Sequence, residues 1–536
     1  MSVTRDGSGS GRLKLSPGAG ALKLATLALV AIATIAILST ARTFSGTVDE
    51  PAHIAAGMQW LTTDRYDYDL QHPPLGRIAA AIGPYLHGAR STGAPGVYDE
   101  GARILGTGRQ YVDMLASARH GEIVFFLILA GAVWFWSRRL LGDAGAATAT
   151  LLLVTNPNVL AHAGLATTDI AAAAMTTVAL FAGVVWLERP SWTRTIVLAV
   201  AIGAAVSSRL SAIAFVGGPL AVAYALRAWA VRDWRLDPGG RVALGKVAAL
   251  AAGALLVVWA VYRFTLDPFV TGVERFVLHG SSGHPTFLLG TPSNRGWWYY
   301  FPVALLVKTP IPLLLGAILG AAAAGHAFRA RRDWAAAVPL ASALTMLGIS
   351  LFVRVDLGVR LVLPVYPLLA IAGAQGVIDM VRRNASRGAS LVVAGLLAGS
   401  VVIAVRAHPD DLAYFNALAG DHPEHVLVDS NLDWGQDLYR LRDTIIARGI
   451  RDSVRVAYFG TADISAAGVP RARELGLHEP ATGWVAASET FLAGEWVGRA
   501  YAWLLAYPPA ARIGPSMRLW YIPPIPPNAT RDSTPR

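Results

Sequence analysis

The sequence predicts a polytopic α-helical membrane protein ending in a small α/β portion outside the bilayer. Its 536 residues are 54% hydrophobic and their mean hydropathy is +0.45, too apolar for a soluble enzyme of this size. Apolar stretches recur along the first three quarters of the chain at lengths of roughly 17–25 residues, enough to cross a bilayer. After residue 405 polar and apolar residues mix and the apolar runs shorten to strand length.

The first 20 residues are Gly/Ser-rich with Arg5, Arg12 and Lys14, a composition expected to stay disordered on the cytoplasmic side. Segments long enough to span follow near 22–41, 121–138, 143–160, 169–187, 193–208, 210–227, 245–265, 301–325, 335–353, 359–380 and 389–405. That is about eleven helices in a transmembrane region over 21–405. No small-residue cleavage site closely follows the first, which reads as an uncleaved anchor. Only Ser207-Ser208-Arg209 separates the fifth from the sixth.

A net charge of +11 would suggest nucleic acid in a soluble protein. Here Arg138 and Arg139, Arg189 and Arg194, Arg227 to Lys246, Arg329 to Arg332, and Arg382 to Arg387 fall in alternate loops. Those loops are therefore cytoplasmic, and no nucleic-acid partner is implied. The intervening loops 42–120, 161–168, 266–300 and 354–358, with everything after 405, lie outside. There is no cysteine, so disulfides, thiolate metal ligands and a thiol nucleophile are excluded.

The long outer loop 42–120 holds 51–62 and 75–87, amphipathic stretches expected as helices at the interface. Trp297-Trp298-Tyr299-Tyr300-Phe301 reads as an aromatic belt. Beyond 405, strands are expected at His425–Val428, Val454–Phe459, Trp484–Ala487 and Met517–Ile522, with helices at 436–448 and 489–504, in an α/β domain over 406–522. A loose Pro-rich tail, 523–536, closes the chain.

Chemistry concentrates on the outer face. Asp49 and Glu50 precede Pro51, which suits a first helical position and makes Glu50 the expected cap. Asp169 begins the fourth membrane helix from the same side, where a carboxylate is again an ordinary cap. Together these acids could deprotonate a hydroxyl or hold a divalent metal, and spacing alone assigns neither role. His53 lies one turn after Glu50, and His72 and Arg77 follow in the same loop. The two histidines match no standard zinc spacing.

Outer-face cations run against the charge rule. Lys308 falls inside the eighth segment; Arg354 and Arg360 flank the turn before the tenth; Arg209 sits between the fifth and sixth. A charge in a span is costly and marks a functional group by default. These side chains could clamp a lipid-borne phosphate, or simply snorkel or pair, as Arg354 with Asp356. The acids of Asp429-Ser-Asn431-Leu-Asp433-Trp434-Gly-Gln436-Asp437 are read as helix and turn caps rather than as a sugar or cation site.

The stretches DEPAH (49–53) with HPPL (72–75), NPNVLAHAGLATTD (156–169), GWWYYFPVALLVKTP (296–310), DLGVRLVLPVYP (356–367) and YFNALAGDHPEHVLVDSNLDWGQDL (414–438) resemble the GT-C membrane glycosyltransferases. Within that class the likeness is to bacterial members of the protein O-mannosyltransferase-like group, glycosyltransferase family 39. The resemblance implies a GT-C fold and inverting transfer of a sugar from a polyprenyl-phosphate donor to a glycan, lipid or protein hydroxyl, outside a bacterial cytoplasmic membrane. It makes Asp49 the general base, has Glu50 position a substrate, and has Asp169 complete the acidic site. Lys308, Arg360, Arg354 and Arg209 would meet the donor phosphate, and His53, His72 and Arg77 would belong to the substrate loop. No metal is obligatory, although relatives place one among such acids, here Asp49, Glu50 and Asp169. Arg209 stands where bacterial relatives would carry Lys, and the tail does not resemble the β-trefoil of eukaryotic members. A flippase of a lipid-linked sugar, with the acids as proton relays, is the competing reading. The acids cluster at one surface and no inverted repeat is visible, which favours transfer.

Overall fold

The structure, a computed structural model, describes residues 19–235, 241–384 and 386–524. The N-terminal tail up to 18 and the Pro-rich tail from 525 lie outside the described residues. Seven described helices are long and apolar enough to cross a membrane, and two shorter apolar ones, Trp192–Ser208 and Trp334–Ser350, accompany them.

The bundle opens with α1 (Ala19–Thr40). Four helices then fill the stretch in which the sequence pointed to two: α2 (Glu50–Thr62), α3 (Pro74–Leu86), α4 (Val97–Leu105) and α5 (Gly108–Gly121). α2 is no interfacial helix, since every residue from Glu50 to Gln59 is buried. It is covered by α3 and α4, and hydrophobic pattern alone could not reveal a cover on both sides.

α6 (Ile123–Val154) joins two segments across Gly142, whose φ of 79° breaks the helical path where the sequence separates the second and third spans. α7 (Pro157–Ala163) is short, with the Asn156 side chain capping it. α8 (Asp169–Glu188), α9 (Trp192–Ser208) and α10 (Ala212–Val231) follow, so the fifth and sixth segments are separate helices. α11 (Arg241–Val261) packs along α9, and α12 (Asp267–Ser282) leads to a hairpin of β1 (Thr286–Leu288) and β2 (Thr291–Ser293).

The eighth segment is broken at Thr309-Pro310 into α13 (Tyr300–Lys308) and α14 (Ile311–Arg331), as expected where proline removes a donor. The aromatic belt is half core: Trp298 is 68% exposed, whereas Tyr300 and Phe301 are buried. α15 (Trp334–Ser350), α16 (Val365–Arg383) and α17 (Arg387–Ala407) complete the bundle. α14 and α16 approach closely through small residues. A Cβ on Gly320 would stand 2.1 Å from the Ala372 carbonyl, and one on Gly376 would stand 2.4 Å from the Gly320 nitrogen.

The C-terminal part carries α18 (Leu438–Ala447), α19 (Glu489–Leu492) and a sheet of β3 (Val454–Ala457), β4 (Ala472–Glu474), β5 (Gly483–Ser488), β6 (Ala511–Ile513) and β7 (Met517–Ile522). The strand order is β4-β3-β5-β7-β6. β3 is parallel to β4 and β5, and β7 is antiparallel to β5 and β6. The predicted strand 425–428 is instead a short 3₁₀ turn and extended chain, and the helix expected over 489–504 stops at Leu492. Gly494 follows at φ 83°, a conformation that ends helices. The strands Ala472–Glu474 and Ala511–Ile513 escaped notice because three residues carry no readable alternation.

Candidate functional site

The ends of α1, α7 and α9, the starts of α2 and α8, and the turn before α16 meet at one end of the bundle, where the segment 429–437 covers them. Asp49 is the N-cap of α2, one residue earlier than the sequence suggested, yet its side chain caps nothing. It reaches Arg360, whose Nη1 donates to Asp49 Oδ2 at 2.7 Å. Asp49 Oδ1 is bonded to no described residue, and the side chain is 22% exposed. Arg360 is held by its own turn, with Nε donating to the Leu357 carbonyl at 3.2 Å, and its guanidinium lies 4.4 Å from the Trp434 ring centroid.

Asp169 is likewise no cap. It is the first residue of α8, after the N-cap Thr168, and its carboxylate pairs with Arg209 from the end of α9. Thr167 donates to its Oδ2 at 2.9 Å, and His162 Nδ1 stands 3.6 Å from the same oxygen. His162 packs against Trp434 with ring centroids 6.2 Å apart. Trp434 therefore touches a group from each acid's neighbourhood, and its carbonyl accepts the Val48 N–H at 3.1 Å. Arg209 and Arg360 are thus the two candidate cations that the fold brings to the acids.

Glu50 points elsewhere. Arg119 from α5 holds it with two 2.7 Å hydrogen bonds, and the backbone N–H groups of Thr47 (2.8 Å) and Ala166 (2.9 Å) donate to the same carboxylate. Burial alone would raise this carboxyl, but Arg119 and the backbone donors hold it below the usual carboxylate value. Glu50 is a buried strut and has no oxygen left for a substrate, which corrects the positioning role expected for it. The proposed cation site at Asp49, Glu50 and Asp169 does not fit either. Each carboxylate is paired with a different arginine, and no cluster of three metal-ligating side chains occurs among the described residues.

Arg77 is fully buried, donating from Nε to His53 Nδ1 at 3.0 Å and from its guanidinium to Tyr66, to the Tyr68 and Asp69 carbonyls, and to the Asp69 carboxylate at 2.5 Å. It organises its loop and is not offered to a substrate. His53 and His72 meet edge to face at 5.2 Å. Burial pushes His72 down to about 4 and His53 well below its ordinary value, with the Arg77 charge adding to both. Both are neutral at neutral pH, with His53 Nδ1 already accepting a bond.

Lys308 is buried, and its Nζ donates to the Asn431 carbonyl at 2.6 Å and the Leu412 carbonyl at 2.8 Å. It ties α13 to the cover instead of meeting a phosphate. Asn431 in turn accepts the Val359 N–H at 3.1 Å, so this strut braces the turn that carries Arg360. Arg354 is exposed and forms no ion pair with Asp356. Of the acids of 429–437, Asp429 and Asp433 cap their own turn as expected, Asp429 accepting the Ser430 N–H and Asp433 Oδ1 the Gly435 N–H at 3.3 Å, while Asp433 Oδ2 also accepts the Thr490 N–H at 2.9 Å. Asp437 caps nothing and instead accepts from Ser516 Oγ at 2.8 Å and pairs with Arg440.

Asp356 is 2% exposed; its Oδ2 accepts the Trp297 N–H at 2.8 Å and its Oδ1 has no partner. Burial pushes this carboxyl from 3.8 up to about 7. The unfolded chain releases the proton near the lower value and the folded protein near the higher one. Folded stability therefore falls as pH rises between them. Asp356→Asn keeps an acceptor and removes that slope, so it is expected to exceed the parent by about 1–3 kcal/mol at pH 8, with the gap closing towards pH 4. Thermal melts in detergent across pH test this, and a pH-independent gap would refute it.

Arg119, His162 and Trp434 were not singled out in the sequence. Arg119 carried a usable signal, because it is a cation in a loop that the charge rule places opposite the basic loops.

A sequence model of the dolichyl-phosphate-mannose-protein mannosyltransferase family matches residues 112–259. That segment contains Arg119, His162, Asp169 and Arg209. No curated protein matches the sequence. Among solved structures, apo ArnT from Cupriavidus metallidurans superposes with a TM-score of 0.50 at 16% identity, covering 93% of this chain and 98% of that one. The same protein bound to undecaprenyl phosphate gives 0.48 at 15% identity, with the same coverage. The oligosaccharyltransferase AglB from Archaeoglobus fulgidus, in complex with an inhibitory peptide and a dolichol-phosphate, gives 0.48 at 12% identity over 88% of this chain and 71% of that one. The apo ArnT match shows the GT-C fold expected from the sequence, and the family model bears out the resemblance to protein O-mannosyltransferase-like proteins.

Proposed function

We propose that this protein is an inverting glycosyltransferase that moves a sugar from a polyprenyl-phosphate donor to a hydroxyl acceptor on the extracytoplasmic side of a bacterial cytoplasmic membrane. The observation that carries this reading is the Asp49–Arg360 pair: a helix-start carboxylate that caps nothing, partly open, with one oxygen unbonded and a guanidinium on the other.

Donor phosphate arriving at Arg360 competes with Asp49 for the guanidinium. A phosphate is a better bidentate partner, so Asp49 is released from the guanidinium as the donor binds and its oxygens are freed for the acceptor hydroxyl. The acceptor hydroxyl gives its proton to Asp49 as its oxygen attacks C1. The bond from C1 to the phosphate oxygen breaks with inversion, and polyprenyl phosphate leaves with its charge met by Arg360 and Arg209. A carboxylate is a weak base for an alcohol, so orientation and leaving-group stabilisation supply much of the acceleration. With two guanidiniums for the phosphate and no gathered set of carboxylates, transfer is expected to survive EDTA.

The test supplies radiolabelled polyprenyl-phosphate mannose, mannose being the sugar in the family description, to purified protein in vesicles with a membrane extract. Label is expected to pass into a non-prenyl product while polyprenyl phosphate accumulates mole for mole; the product then identifies the acceptor class. Movement of intact donor between leaflets would replace this reading with transport.

A further inference from the structure

Beside Arg360 lies a group of side chains that the proposed chemistry does not use. Glu495 is 2% exposed, its Oε1 is sealed from solvent, and neither of its carboxylate oxygens bonds a described residue. The charges that bear on it are Asp429 and Asp433. A buried carboxyl without any partner is rare and calls for an explanation. Asp429, 4% exposed, is in turn among the charges acting on Arg360, with Asp49 and Asp169.

Over these acids stands Trp496. It is 48% exposed, and its Nε1 approaches Asp429 Oδ2 at 3.4 Å, the outer limit of a hydrogen bond. Its ring meets His284 edge to face at 4.7 Å. Trp496 lies at φ 68° and Asp429 at φ 53°, a left-handed region that bulky residues avoid, and Gly494 and Gly498 flank Trp496 at φ 83° and 57°. Held this way, the loop presents a large aromatic face and buried acceptors side by side.

A sugar ring needs that combination. Its C–H face packs on an aromatic ring, and its hydroxyls bond to a carboxyl group that has no other partner, here Glu495, with Asp429 already accepting the Ser430 N–H and standing beside it. We propose that Glu495, Asp429 and the Trp496 ring form a subsite for one neutral sugar ring next to the Asp49–Arg360 pair. The inference rests on the transferase reading above and leaves the ring's owner, donor or acceptor, to the test.

Full-length protein in nanodiscs is titrated with polyprenyl-phosphate mannose and, separately, with bare polyprenyl phosphate, and acceptor KM is measured in the transfer assay. The unaltered protein is compared with Glu495→Gln, Trp496→Ala and Trp496→Phe, the last retaining an aromatic face. Trp496→Ala and Glu495→Gln are expected to weaken the mannosyl lipid about tenfold, one aromatic or hydrogen-bond contact's worth. Bare lipid should stay within about twofold, and Trp496→Phe should recover most of the loss. Unchanged donor binding with acceptor KM raised by the same factor and kcat held assigns the ring to the acceptor, and the subsite stands. Equal weakening of both lipids, or no change in donor binding and KM, overturns the subsite while leaving the transferase reading intact. If the unaltered protein binds neither lipid, that reading fails and the subsite falls with it.

Discussion

Asp49→Asn is expected to lower transfer by about two to four orders of magnitude, the range over which a general base contributes, without weakening donor binding. The substitution keeps the shape of the side chain and an oxygen for Arg360 Nη1, which now donates to Asp49 Oδ2 at 2.7 Å, but removes the charge that competes with the donor phosphate. Bare polyprenyl phosphate should therefore bind as tightly as to the parent, or more tightly. Arg360→Gln should do the opposite, weakening the lipid and slowing transfer together, because it removes the guanidinium that meets the phosphate. This crossed pattern separates a base from a phosphate ligand. A rate within threefold of the parent for Asp49→Asn, measured with labelled donor, would end the base assignment.

Much of this site was legible because membrane physics makes charge conspicuous. Asp49, Asp169, Arg209 and Arg360 stood out as ionisable groups on the side opposite the basic loops, and the fold brings these four together. The same reasoning overreached at Lys308 and Arg77. A charge inside apolar surroundings can equally be satisfied by backbone carbonyls, and sequence does not distinguish a carbonyl cage from a phosphate site. Glu50 failed for a related reason. Its partners Arg119 and Ala166 lie 69 and 116 residues away, so nothing local told it apart from Asp49. Trp434 and Glu495 were invisible because their roles depend on the cover folding back onto the bundle. The helices were legible through length and apolarity; the sheet was legible only in β3, β5 and β7, the strands long enough to show a pattern.

The buried Glu50–Arg119 pair carries the largest expected effect on stability. Both side chains are essentially unexposed, at 0% and 1%. Arg119 also donates to the carbonyls of Ala41, Phe44 and Ser45, each at 2.9 Å. One guanidinium thus joins the end of α1, the loop leading to Asp49 and the start of α2. Removing it by Arg119→Ala leaves a carboxylate in a dry site with only two backbone donors, and such losses amount to about 3–5 kcal/mol. Glu50→Gln is milder, because the amide still accepts from Arg119, and the cation keeps its three carbonyls. Arg119→Met with Glu50→Gln removes both charges while filling the space, and should recover a large part of the loss, since a buried pair is worth little over a well-packed neutral replacement. Thermal unfolding in detergent orders the variants, and transfer per folded molecule shows what the pair does for chemistry. Glu50→Gln should melt early yet keep most of its transfer rate, in contrast to Asp49→Asn, which should melt near the parent and lose its rate. If Glu50→Gln were instead as stable as the parent and inactive, the carboxylate would belong to the reaction, and its four occupied hydrogen bonds would have to open during turnover.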